Sequence, residues 1–270
     1  MIVDGKSIAE HIAARLRKEH TDKFLAVFSV GDDAASKSFI HQKEKVAREL
    51  GIDFRKYNFF ENATTSDQLR KKIQDIVGED ACGGALVQLP LPCAYDTQYI
   101  LDSIPKEKDV DVLSTNARAD FRDGMSSIIP PPAGVVYEIT RHLPMKEKIA
   151  AVVGTGRLIG TPVSLWLKEK CKELIILKKG DDFEVLRRAD IVILGTGIPK
   201  LIRPDMVKKD AYIIDFGYGK ENGELCGDFE AESLPEKSSI SYTPTPGGTG
   251  PILVMKLMEN FFIMSSQERK

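Results

Sequence analysis

The chain has 270 residues, 42% of them hydrophobic and 29% charged, with a formal net charge of −2. That length suits one large domain or two modest ones, and the near-neutral balance excludes recruitment of nucleic acid or an anionic membrane by a global basic field. No apolar run reaches the roughly 18–20 residues that span a bilayer, and the opening MIVDGK lacks the layout of a signal peptide, so a cytoplasmic location is expected. In chain order, Ile8, Ile12 and Leu16 recur at spacing four and predict a helix over 7–19. The apolar run 24–30 reads as a buried strand ended by Gly31. A long helix follows over 35–50, then a strand over 52–59. Ser66 is the expected cap of a helix carrying Leu69, Ile73 and Val77 on one face. A third strand over 84–89 stops at Pro90, and a short helix over 98–103 leads into 106–113.

The stretch 115–127 is polar and without period, which predicts a loop or irregular hairpin. Three prolines, 130–132, precede a helix over 133–143 that crosses between domains. A second series then supplies strands over 149–153, 174–177, 191–194 and 212–215, with helices near 159–169 and 183–188. A last apolar helix runs over 252–264, and the polar tail 265–270 is expected to fray. Repeated strand–helix units predict an α/β fold with parallel sheets in two domains. The first spans 1–132 and is completed by the C-terminal helix, 252–270. The second, 133–251, is Rossmann-like.

Two groups of residues suggest chemistry. The strand 149–153 runs into Gly154-Thr155-Gly156-Arg157-Leu158-Ile159-Gly160. This is either a plain strand-to-helix turn or a cradle for a pyrophosphate, where glycines admit close approach and a helix start offers free N–H groups. The strand 191–194 also ends in a glycine turn, at Gly195 and Gly197. The strand before Lys178 and Lys179 carries no terminal acid of the kind that binds the NAD ribose, so the two lysines are either a solvated pair or a site for a 2′-phosphate, which favours NADP. In the helix 35–50, Phe39, Lys43, Val46 and Leu50 fall on one face. Lys43 there is either snorkelling at the edge of the buried stripe or a desolvated amine able to move protons near neutrality. Gln88 near a strand end and Asp111 after a short helix are further polar candidates. The four cysteines form no CxxC pair and are expected to be reduced and mostly buried. The four histidines show no metal-ligand spacing, so no metal is expected.

From end to end the chain resembles the methylenetetrahydrofolate dehydrogenase/cyclohydrolase family. The resemblance rests on DGK at 4–6, FxxxK ending in Lys43 against YxxxK, GALVQLPLP at 84–92, KDVD at 108–111, VGTGRLIGTP at 153–162, IDFG at 214–217, GD at 227–228 and TPTPGGTGP at 243–251. It implies oxidation of 5,10-methylenetetrahydrofolate with NADP, NAD being the other possibility, and hydrolysis of the methenyl product to 10-formyltetrahydrofolate. It implies tetrahydrofolate derivatives as partners and a homodimer. By position it makes Lys43 the catalytic lysine, Gln88 the group that tunes it and Asp111 the holder of the pterin. Phe39, Val87, Leu89 and the turn Pro246, Gly247, Gly248, Thr249, Gly250 fall among the folate contacts. Gly154, Thr155, Gly156, Arg157, Lys178, Lys179, Gly197 and Tyr218 fall among the dinucleotide contacts.

The chain departs from that pattern at marked places. Phe39 lacks the hydroxyl of the motif tyrosine. Val112 stands where the pattern has a glycine. Thr155-Gly156 replaces an arginine–serine pair expected near the 2′-phosphate, with Arg157 two positions on. Two other readings stay open on the sequence: a folate- or nucleotide-binding homologue with one or both activities lost, and a different NAD(P)-dependent dehydrogenase of similar architecture.

Overall fold

The computed structural model describes residues 1–61, 64–221 and 223–266. The chain packs into two compact units, one of Ile12–Pro131 with Val254–Lys270 and one of Met1–His11 with Pro132–Leu253. The last four residues of the expected frayed tail, 267–270, lie outside the described residues. No helix among those described is long and apolar enough to cross a membrane.

Helix α1 (Gly5–Leu16) leads to β1 (Phe24–Val30), whose burial is almost complete along its length. α2 (Ala34–Glu49) begins at Asp33, whose carboxylate accepts from the Ser36 amide. Next come β2 (Asp53–Phe59), α3 (Ser66–Val77) and β3 (Cys82–Val87). The strands form a parallel sheet in the order β2-β1-β3, the arrangement that alternating strands and helices predict. The cap of α3 is Thr65, not Ser66: Thr65 and Gln68 exchange side-chain-to-backbone hydrogen bonds in a capping box. Leu69 and Ile73 bury the predicted face of α3 against Phe24 and Phe28, each such side chain contributing about 1.5–3 kcal/mol. After α4 (Thr97–Leu101), residues 108–110 run parallel beside β3, with Ala85 and Asp109 as partners. The stretch expected as a loop then forms α5 (Thr115–Arg122). Ser114 caps it, and only Ala117 of its residues is buried, so no apolar period marked it.

In the other unit, α6 (Pro131–Thr140) precedes β4 (Ile149–Val153), α7 (Gly160–Leu167), β5 (Glu173–Leu177), β6 (Ile191–Leu194) and β7 (Tyr212–Asp215). A hairpin, β8 (Gly219–Glu221) with β9 (Glu224–Cys226), and β10 (Ser241–Tyr242) complete the strands. The main sheet is parallel, in the order β10-β7-β6-β4-β5. The segment 183–188 is a 3₁₀ turn capped by Asp182, not an α-helix. α8 (Thr249–Ser265) closes the described chain. Its C-terminal part returns to the three-stranded unit: Glu259 pairs with Arg15 at 3.1 Å, and Asn260 donates to the carbonyls of Val110 and Ile129 at 2.9 Å each. All four cysteines are unpaired, but only Cys82 is buried and Cys93 is exposed, which corrects the expectation of mostly buried thiols.

Candidate active site

In an open parallel sheet, ligands sit beyond the carboxyl ends of the strands. Gln88 follows β3 directly, and its amide donates to Phe28 O, so the side chain leaves the sheet at that end. Its Nε2 donates to the Leu89 carbonyl at 2.7 Å, which turns Oε1 toward Lys43, and the Lys43 ammonium donates to that oxygen at 2.9 Å. The buried stripe of α2 runs through Ile40, Glu44 and Ala47, not through Lys43. Glu44 is held there by Arg48 and Lys56, both at 2.7 Å. Phe39, Lys43 and Val46 form a half-buried row beside it. Burial lowers the Lys43 pKa, opposed by the charge of Asp111. Burial raises that of Asp111, opposed in turn by Lys43. A neutral amide as the direct partner, with the carboxylate acting only through space, leaves the amine able to exist as free base.

The KDVD segment divides between building and chemistry. The Lys108 ammonium donates to the carbonyls of Val77 and Glu79, closing the C-terminus of α3. The Asp109 carboxylate accepts from the amides of Leu113 and Ser114 at 2.9 and 2.7 Å, and burial raises its pKa to about 6. Asp111 is the member that faces Lys43. Between these acids and α5 the backbone passes through Val112 at φ +58°, the left-handed region that a β-branched residue rarely enters.

The second candidate site lies in the five-stranded unit. Gly154 has φ +100°, and a Cβ there would lie 2.7 Å from Gly195 O. A Cβ on Gly160 would lie 1.8 Å from Gly154 O, so α7 starts in direct backbone contact with the turn. Nothing lies within 4 Å of where a Gly156 Cβ would point, and Thr155, Gly156 and Arg157 are exposed. These are the features a pyrophosphate needs: an open backbone at a helix start, packed from below. The Gly154 amide donates to Leu177 O, which sets the exposed Lys178 and Lys179 beside the turn. An acid does follow β5, Asp181, but its carboxylate accepts from the Lys178 amide at 2.9 Å.

The stretches of chain that carry these two groups of residues have counterparts among known proteins. Sequence profiles described as tetrahydrofolate dehydrogenase/cyclohydrolase, catalytic domain, and tetrahydrofolate dehydrogenase/cyclohydrolase, NAD(P)-binding domain, match residues 3–111 and 130–269. The chain belongs to the tetrahydrofolate dehydrogenase/cyclohydrolase family. A bifunctional protein FolD of Exiguobacterium sibiricum is 34% identical, the match covering 96% of this chain and 97% of that one. The crystal structure of the bifunctional FolD methylenetetrahydrofolate dehydrogenase/cyclohydrolase of Campylobacter jejuni superposes with a TM-score of 0.92 at 30% identity, covering 98% of both chains. That of Trypanosoma brucei FolD, complexed with NADP and an inhibitor, gives 0.89 at 25% identity, covering 98% of this chain and 97% of that one.

Within this tetrahydrofolate dehydrogenase/cyclohydrolase chain the structure brings Lys43, Gln88 and Asp111 together, with Phe39 one helical turn before Lys43. Leu89 is half-buried beside Gln88, whereas the Val87 side chain lies in the core. In the other unit, Gly247 has φ +97° and Gly248 packs on Gly5, whose Cβ would lie 1.8 Å from Gly248 O. Pro246 and Gly250 are exposed, and the Thr249 hydroxyl donates to Asp215 O at 2.8 Å. Tyr218 is exposed, and Gly197 has φ +69°. The sequence reading missed the acid that grips the Gly197 turn, Asp228, although the GD match pointed at its position.

Proposed function

We propose that the protein is a bifunctional enzyme that oxidises 5,10-methylenetetrahydrofolate to 5,10-methenyltetrahydrofolate with NADP and hydrolyses the methenyl form to 10-formyltetrahydrofolate. The observation that carries this reading is the Lys43–Gln88–Asp111 cluster at the carboxyl end of a parallel sheet.

In the hydrolysis, water adds to the cationic methenyl carbon. The free-base form of Lys43 accepts one proton of the adding water, and the resulting ammonium delivers it to the ring nitrogen as the carbon–nitrogen bond opens; the carbinol hydroxyl releases the second proton to solvent as it becomes the formyl carbonyl, which is the proton the overall hydrolysis sets free. Gln88, fixed by Leu89 O, keeps the amine in one orientation through both protonation states. Asp111 is the hydrogen-bonding group for the pterin, and burial favours its neutral form. Phe39 and Leu89 are assigned to the folate, as is the turn 246–250 by its place in the family pattern, while Val87, its side chain in the core, has only its backbone to offer. Gly154, Thr155 and Gly156 fit the pyrophosphate. Arg157, Lys178 and Lys179 supply positive charge for a 2′-phosphate in the absence of the pattern's arginine, and Gly197 and Tyr218 are the remaining dinucleotide contacts. Bound NADP supplies the hydride acceptor of the oxidation.

The proton chemistry of Lys43 belongs to the three-stranded unit and the dinucleotide to the five-stranded one. The enzyme works in the cytoplasm as a homodimer, a state that sedimentation tests. The experiment for the activity is spectrophotometric oxidation of methylenetetrahydrofolate by the purified protein, with NADP and NAD side by side. Reduction of NADP in preference to NAD is expected. No turnover with either dinucleotide would overturn the reading.

A further inference from the structure

The segments 214–217 and 227–228 form an interlock that no catalytic role accounts for. β7 ends in Asp215 and turns at Gly217. The β8–β9 hairpin brings the chain back to Gly227 and Asp228. Asp215 Oδ1 accepts from the Gly217 amide at 2.7 Å, and Oδ2 accepts from the Phe229 amide at 2.9 Å. Each acid occupies the space that the opposite glycine leaves empty. A Cβ on Gly217 would lie 2.3 Å from Asp228 Oδ1, and one on Gly227 would lie 2.0 Å from Asp215 Oδ2. Both carboxylates are buried, at 2% and 1% exposure, and burial raises Asp215 to about 6.

Burying a carboxylate is costly unless its hydrogen bonds repay it. Asp228 spends one oxygen entirely on the turn after β6: Oδ2 accepts from the Thr196 amide at 2.6 Å, the Thr196 hydroxyl at 2.8 Å and the Gly197 amide at 3.2 Å. Its Oδ1 has no hydrogen-bond partner among the described residues. The backbone supports the same grip, with Lys200 N donating to Gly227 O and Ile202 N to Asp228 O. The gripped turn in turn bears on the glycine turn after β4, because Gly195 O and the Thr196 methyl pack where a Gly154 Cβ would point. The amides of Thr196 and Gly197 are therefore committed to Asp228 and are not free donors for a ligand.

Resting on the dinucleotide assignment made above, we infer that Asp228 is a positioning residue for dinucleotide binding: it holds the Thr196–Gly197 turn against Gly154 and so fixes the separation of the two turns that take the cofactor. The test compares wild type, Asp228→Asn and Thr196→Val in two assays, methylenetetrahydrofolate oxidation at varied NADP and methenyl hydrolysis without dinucleotide. Asp228→Asn weakens charge-assisted bonds and is expected to raise the KM for NADP about tenfold. The KM for methylenetetrahydrofolate and the rate of methenyl hydrolysis are expected to stay within about twofold, since the hydrogen bonds of Asp228 and Thr196 involve none of Lys43, Gln88 and Asp111. Thr196→Val deletes one donor, keeps the side-chain shape, and is expected to shift the NADP KM in the same direction by less. An unchanged KM for NADP in Thr196→Val and in any Asp228→Asn protein that folds would overturn the inference. So would a parallel loss of both activities in the two variants, which would make the interlock a general support of the fold. Absence of oxidation by the wild type strikes instead at the functional reading, so the two failures are distinguishable.

Discussion

Around Lys43 the chain assembles functional groups, and around Gly154 it takes them away. The lysine site depends on side chains whose charges are altered by where they sit: an amine pressed toward its neutral form by burial, an amide turned by a backbone carbonyl, and a carboxyl raised by the same burial. The glycine-turn site depends on backbone that approaches closely because side chains are missing, at Gly154 and Gly160 above all. Electrostatic sites tolerate small displacements but respond to a single changed charge. Steric sites tolerate surface charge changes but respond to a single methyl group.

Substitutions at four positions break or sharpen that contrast. The largest effect is expected from Lys43→Met, which should lower methenyl hydrolysis by roughly a thousandfold, the range of a lost general acid–base, while dinucleotide affinity measured by calorimetry is unchanged. Gly160→Ala inverts the pattern. Its new Cβ meets backbone at 1.8 Å, so dinucleotide affinity should fall roughly 100-fold, matching about 3 kcal/mol of overpacking, while hydrolysis without cofactor persists. Gln88→Glu gives Lys43 an anionic partner in place of a neutral one. That raises the lysine pKa toward its ordinary value, so the free-base fraction at neutral pH falls. Hydrolysis should drop about tenfold at neutral pH and recover as pH rises, and a pH profile with no shift of its limb would remove Lys43 as the proton acceptor.

The smallest effect concerns Val112, where the lysine-bearing unit carries a strain of the kind glycines relieve elsewhere. Left-handed backbone costs a residue with a Cβ roughly 1–2 kcal/mol. Val112→Ala keeps that cost and loses the buried methyl groups, whereas Val112→Gly loses the contacts and removes the strain. Thermal unfolding should therefore rank the glycine variant above the alanine one, against the usual order for a buried position.

The strands β1, β4, β6 and β7 begin and end where the sequence reading put them, and β2 and β5 differ from it by one residue. The fully buried β3 starts two residues earlier than read, at Cys82, because the glycines at 83 and 84 carry no apolar signal. α5 escaped because its helicity rests on the Ser114 cap and on packing at Ala117, with no apolar stripe to mark it. On α2 the buried face was misread because Glu44 looks like a surface residue, yet two cations neutralise it in place. The chemistry of the lysine site came from family pattern more than from physics. Spacing alone favoured a snorkelling Lys43 over an active one, and it is the contact with Gln88, 45 positions away, that supports the second. Asp228 was marked only by the GD match and by nothing physical in its own segment, since its partners at 196 and 197 become neighbours only when the sheet and the hairpin have formed.

The crossed pairs 215 with 227 and 217 with 228 also constrain how this protein can evolve. A side chain at 227 needs the volume that the acid at 215 fills, and the same holds for 217 and 228. Within either pair, mutation of the glycine alone is blocked by collision, and mutation of the acid alone leaves a hole lined with unanswered backbone amides. Drift at these four positions should therefore be concerted, so that in distant relatives loss of an aspartate and gain of a side chain on the facing glycine are inherited together.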